Sequence, residues 1–205
     1  MKKFPLILDN KGLTLVELMI VMALSLLLMA AVYMTFQLEH TSSQSQTQVS
    51  ATQQDLRAAM DIIAVDIMNA GANPHFNKNQ TVLQGLSNAC VANSIELFMD
   101  LNSSDTTNAA TDGGEHITYV LNGGQIIRND INAGLTQVIA YNVNTLEFKY
   151  YDINYAEIAP ATNAEDIRLV KVRIVKNSDQ RDQMTGQFVT RTLERIIGMR
   201  NITTL

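Results

Sequence analysis

Lys11-Gly12-Leu13-Thr14-Leu15-Val16-Glu17-Leu18-Met19-Ile20 opens the stretch on which the reading of this 205-residue chain turns. From Leu13 to Phe36 the sequence is overwhelmingly apolar and holds one charged side chain, Glu17. At about 1.5 Å of rise per residue, two dozen helical residues span a bilayer core of roughly 30 Å. Lys2, Lys3 and Lys11 precede the run, which places the N-terminus in the cytoplasm and the remainder across the membrane. A secretory signal fits poorly, because its apolar stretch is only about 7–15 residues and its small-residue cleavage site lies on the far side. Here the small residue, Gly12, comes before the run.

Glu17 is the anomaly. On insertion scales a carboxylate at the centre of a spanning helix costs about 2.5–3.5 kcal/mol, and less near an end where water is in reach. Either it is an interfacial acid that the membrane tolerates, or it meets a positive group in an assembly. A buried ammonium and a buried carboxylate are each expensive alone and tolerable together, so a pair of them favours one register between packed helices.

The decapeptide from Lys11 to Ile20 resembles the type IV prepilin motif. In that family a prepilin peptidase cuts after a glycine and the new N-terminus is N-methylated. The resemblance implies cleavage between Gly12 and Leu13, methylation of Leu13, and an assembly salt bridge from Glu17 to a neighbouring subunit's N-terminal amine. The family more often has Phe at the first mature position, where this sequence has Leu13.

Beyond Phe36 the chain turns polar, with no Gly or Pro until Gly71. Residues 41–54 are rich in Ser, Thr and Gln, a composition that suits a linker as well as a helix. The segment that follows favours a continued helix. Leu56, Met60, Ile63 and Ile67 are spaced by four, three and four, with Ala59 and Ile62 beside them, while Asp55, Arg57, Asp61 and Asp66 take other faces. Gly71 stands where a left-handed C-cap is expected, and Pro74 follows. A helix from about residue 13 to 70 would be roughly 85–90 Å long.

From Val82 onward period two replaces the helical period. Ile95, Leu97, Met99 and Leu101 alternate with polar or outward residues. Ile117, Tyr119 and Leu121 lead into Asn122-Gly123-Gly124, a hairpin turn signal, and then residues 125–128. Leu146, Phe148 and Tyr150 form another alternating set, as do Val170, Val172 and Ile174, and a last strand is predicted over residues 187–197. The fold class is therefore α+β: a pilin fold, with a long N-terminal α-helix, half membrane and half amphipathic, packed on an antiparallel β-sheet head. The domain plan is a prepilin leader at 1–12, a transmembrane and filament-core helix at 13–36, its periplasmic continuation at 37–71, and a β-rich globular head at 72–205.

The helix end, Asp55 to Met60 and Asp66 to Gly71, is similar to that of PilW-type minor pilins and J-type pseudopilins. So are residues 137–143, 146–152 and 199–202. This resemblance implies a minor type IV pilin acting in pilus assembly or initiation, within a tip or priming complex of minor subunits. Its partners would be the prepilin peptidase, other minor pilins and the major pilin in a hetero-oligomeric filament. It would be held in the bacterial inner membrane before assembly, single-pass, with a cytoplasmic N-terminus and a periplasmic head. The alternatives are a pseudopilin of a type II secretion system, a tip-located adhesion module, and a simple bitopic membrane protein that is not cleaved after Gly12.

Composition narrows the chemistry. The net charge is −5 and the basic residues are scattered, so nucleic acid is not an expected partner. Lys171–Arg173 and Arg191–Arg195 alternate as solvated strand faces would. Cys90 is the only cysteine, which excludes an intramolecular disulfide and reads as a small buried hydrophobe. His40, His75 and His116 have no metal-site spacing, and no nucleophile elbow or phosphate loop is present. No enzymatic activity and no cofactor are expected. Calcium is the one metal for which oxygen donors cluster, at residues 100–105 with Asp112 and Glu115, although such residues also make ordinary loops. Tyr141, Tyr150, Tyr151 and Tyr155 read as strand residues with one ring face buried, or else as an aromatic ligand patch.

Overall fold

In the computed structural model, the residues described are 12, 14–72, 85–101 and 112–201. Helix α1 runs without a break over Leu15–Asn69. The polar Ser/Thr/Gln stretch is helical along its whole length, so the linker alternative falls away. The chain divides into two compact units, Met1–Ser45 and Gln46–Leu205.

In the second unit, α1 ends where glycine permits it. Gly71 has φ 77°, a left-handed conformation that costs a residue without Cβ almost nothing. Its N–H does not fold back on the helix. It donates instead to the Phe98 carbonyl at 2.9 Å, in strand β1 (Ser94–Phe98). Gly85 makes the close approach possible: a Cβ there would lie 2.7 Å from the Gly71 nitrogen. Pro74 and the start of the predicted β region at Val82 lie outside the described residues.

The head is antiparallel and divided between two sheets. The first has the order β1, β2 (His116–Asn122), β3 (Gln125–Asp130) and β4 (Leu135–Ala140). The Gly123-Gly124 turn closes the β2–β3 hairpin with Asn122 opposite Gln125, and both glycines have positive φ, 56° and 76°. That is the geometry of a two-residue turn matched to strand twist. The second sheet has the order β5 (Val143–Tyr151), β6 (Leu169–Arg181) and β7 (Phe188–Gly198). A four-residue helix, α2 (Pro160–Asn163), and a 3-10 turn at Ala164–Asp166 connect β5 to β6.

One apolar core fills this unit. Leu56, Ala59, Met60, Ile63, Ala64 and Ile67 of α1 are buried, as are Ile95, Leu97, Ile117 and Tyr119 of the first sheet and Leu146, Phe148, Val172 and Ile174 of the second. Most of the period-two residues named from sequence face inward, as alternation requires, but Leu121 is only partly buried and Leu101, beyond the end of β1, is 49% exposed. Ile62 differs from expectation: it is 39% exposed, because the apolar arc of α1 is narrower than its sequence suggested.

Polar side chains tie α1 to both sheets. Tyr119, fully buried, donates its hydroxyl to Asp66 Oδ2 at 2.5 Å, and Arg128 Nε donates to the same oxygen at 2.8 Å. Burial, and then the Asp66 charge, push the Tyr119 phenol far up, so it stays a donor. The Lys176 side chain is 3% exposed, and its ammonium meets Asp55 Oδ2 at 2.6 Å. Arg195 reaches Asp61 at 2.8 Å. The acids on the other faces of α1 thus serve as its fastenings.

On the first sheet Glu96 and His116 pair at 2.7 Å across β1 and β2. Burial raises the Glu96 carboxyl, but its hydrogen bond with Ser87 and then the bond and charge of His116 outweigh this and hold it below its usual range. A carboxylate depressed in the folded state contributes stability above its unfolded pKa of about 4.3 and loses it as pH falls through the folded value. Glu96→Gln should therefore melt at lower temperature than the parent at pH 7. That difference should close as both are acidified below about pH 4, as followed by circular dichroism. A gap that stays constant with pH would show that the carboxylate charge is irrelevant.

Candidate functional site

The start of α1 is organised by two residues three apart. Thr14 takes the N-cap position: its carbonyl accepts the first helical bond, from Leu18 N–H at 3.1 Å. Its Oγ1 accepts the Glu17 N–H at 3.2 Å. The Glu17 carboxylate reaches back to accept the Thr14 N–H at 2.9 Å, and the Thr14 hydroxyl donates to the same oxygen at 2.9 Å. This is a reciprocal capping box, which satisfies two backbone donors that a helix start otherwise leaves open. It also sets the one acid of the apolar run at the helix's positive end, where negative charge is favoured.

Thr14 was not singled out from sequence. Its signal was present, since Thr14-Leu15-Val16-Glu17 has the Ser/Thr-x-x-Glu spacing of a capping box. Gly12 is exposed, with nothing within 4 Å of where a Cβ would stand. Leu13, the residue expected to be methylated, and the leader before Gly12 lie outside the described residues.

From Leu15 to Leu38 the helix presents its apolar side chains to the surroundings. Leu15, Met19, Leu26, Met29 and Val32 are each more than 60% exposed. The mean hydropathy of its most apolar window is 2.6, and none of that window is buried within the chain. Ser25 and Thr35 turn their hydroxyls onto the carbonyls of Val21 and Ala31, at 2.7 and 3.0 Å. They therefore present no unsatisfied donor to an apolar medium. A helix this long and this apolar fits a single-pass membrane anchor.

The other sequence candidates are dispersed. Cys90 is buried, and its thiol is pushed up by burial. Tyr150 is buried on β5 and Tyr151 half-buried at its end, whereas Tyr141 and Tyr155 lie in loops, 56% and 67% exposed, and so are not strand residues with a buried ring face. Glu115 spends its carboxylate on the Leu101 and Asp112 N–H groups, at 3.1 and 3.0 Å. Among the described residues no three His, Cys, Asp or Glu side chains converge as a metal would require. Residues 102–105 of the expected calcium loop are outside them.

Residues 8–33 match the family described as the prokaryotic N-terminal methylation motif. The match covers Gly12, Leu13, Thr14 and Glu17 together with most of the apolar run, and it supports a protein of the type IV pilin or pseudopilin kind. Such a motif implies processing by a prepilin peptidase and pilin-type assembly. No curated protein matches the chain.

Proposed function

We propose that the chain is a minor type IV pilin, a non-enzymatic subunit that joins other minor pilins and the major pilin in a tip or priming complex. Prepilin peptidase cuts it between Gly12 and Leu13, and Leu13 is then N-methylated. The observation that carries the reading is the placement of Glu17. One carboxylate stands within a turn of the cleavage point, at the mouth of a helix whose apolar surface is bare over more than twenty residues. In the uncleaved chain Glu17 caps its own helix. Cleavage frees an ammonium four residues before it, and in the filament the acid neutralises the corresponding amine of a neighbour. The apolar surface passes from lipid to other subunit helices without meeting water.

Mass spectrometry of the native protein should find a mature chain beginning at methylated Leu13. Glu17→Ala should be processed normally, since the cut lies outside the capping box, and yet be depleted at least tenfold from sheared filaments. A chain retaining Met1 to Gly12, or normal incorporation of Glu17→Ala, would refute the reading. A pseudopilin of a type II secretion system carries the same leader and helix. A deletion that abolishes protein export while leaving pili intact would assign the chain there.

A further inference from the structure

The cations of the second unit are, with few exceptions, already engaged. Lys149, Lys171, Arg173 and Arg195 end on acids, Arg168 on backbone carbonyls, and Arg181 lies over the Phe188 ring. Besides the exposed Arg200, Arg57 and Arg191 stand apart, with no side-chain ion pair or hydrogen bond among the described residues. They line the same cleft of about 170 Å³, together with Gln53, Leu56, Thr192 and Leu193. Gln53, Leu56 and Arg57 fall on one turn of α1, and the other three are consecutive on β7. Leu56, 2% exposed, and Leu193 are the apolar members of the lining.

Arg191 is the informative residue. Its Nε is buried and unpartnered, a condition that native structures rarely leave without a ligand, a water or a partner. Its cross-strand neighbour in β6 is another cation, Lys176. The acids near that pair, Asp55 and Asp179, are engaged by the Lys176 ammonium at 2.6 and 3.4 Å. Two arginines thus line one small cleft with no acid paired to either among the described residues, on a chain whose net charge is −5. A planar guanidinium offers paired N–H donors that match the two oxygens of a carboxylate. The cleft holds the end of a side chain and falls short of the roughly 300–1,000 Å³ of small-molecule sites.

We infer that the Arg57–Arg191 cleft is a docking socket for an Asp or Glu side chain of an adjoining subunit. The inference rests on the filament reading above, which brings a second subunit's head alongside this one. It adds a head-to-head contact, independent of Glu17, that orients the β-rich units.

A photo-crosslinking amino acid placed at Gln53 of the full-length chain, expressed in its own cells, tests this. The expected product joins the chain to a second subunit at a peptide carrying Asp or Glu. Arg57→Gln with Arg191→Gln should lower its yield at least fivefold, and Arg57→Lys with Arg191→Lys should restore part of it. Circular dichroism of the purified variants separates a lost contact from a lost fold. Equal yield in the glutamine double variant, or crosslinks to peptides without acids, would overturn the socket. N-terminal mass spectrometry and filament recovery from the same cells report on the pilin reading separately, so correctly processed, filament-borne protein that gives no crosslink also refutes the socket. Full-length protein in detergent, titrated with glutarate, addresses a free carboxylate as the occupant. Saturation in the micromolar range would assign the cleft to a small molecule and overturn the subunit contact, whereas only weak binding supports it.

Discussion

Ile63→Ala should destabilise the β-rich unit by about 2–5 kcal/mol, the range for a large aliphatic side chain deleted from a filled core. Ile63 is fully buried on α1, and its core neighbours come from one helix and two sheets, which cannot all close on a void at once. In a unit of this size such a loss lowers the melting temperature by roughly 5–15 °C. The adjacent residue supplies the control. Ile62→Ala removes the same atoms from a position 39% exposed and should cost less than about 1 kcal/mol. Thermal unfolding of both variants in detergent, followed in the far ultraviolet, checks the pair, and equal shifts would contradict the orientation of α1.

Asp66→Ala should cost about 3 kcal/mol, because it removes the acceptor shared by two donors, which keep only each other at 3.2 Å. The Tyr119 hydroxyl is left in a fully buried site, and Arg128, whose side chain is 21% exposed, loses its only acid among the described residues. Tyr119→Phe should be much milder, about 1 kcal/mol, since Asp66 and Arg128 remain paired. Chemical denaturation of the two variants gives the order directly. If the tyrosine variant were the weaker protein, the Tyr119 hydroxyl and not the Asp66 carboxylate would be the main tie of α1 to the first sheet.

What could be read in advance divides along physical lines. Helix α1, its glycine stop, the Gly123-Gly124 hairpin and the inward residues of β1, β2, β5 and β6 follow from local periodicity and turn chemistry, and local rules write these into the sequence. Strand β4 was missed because it lies at a sheet edge. Only Ala140 of its six residues is buried, so no alternation marks it. The far half of β6 was missed for a different reason. Its inward face continues through Lys176 and Ser178, polar residues whose burial depends on Asp55 and on the turn beyond. The partition into two sheets likewise depends on pairings between distant segments, which no single strand records.

The candidate site was legible in its acid and glycine and incomplete in its threonine. Glu17 and Gly12 were conspicuous by charge and order. Thr14 was read only as part of a motif, although its spacing from Glu17 carries a capping signal of its own. The Arg57–Arg191 cleft was invisible, since it joins residues more than 130 positions apart. Arg191 was read as part of a solvated face, and its buried Nε shows that this holds for Lys171, Arg173 and Arg195 but not for it.

The fastenings of α1 also bear on how a subunit carries force. Asp55, Asp61, Asp66 and Gly71 hold on to Lys176, Arg195, the Tyr119–Arg128 pair and Phe98 respectively. They are spread over about 24 Å of helix axis. Tension applied along α1 loads all four in shear together, and they do not peel apart one after another. A tug on the stalk is thereby shared across both sheets before any single attachment yields.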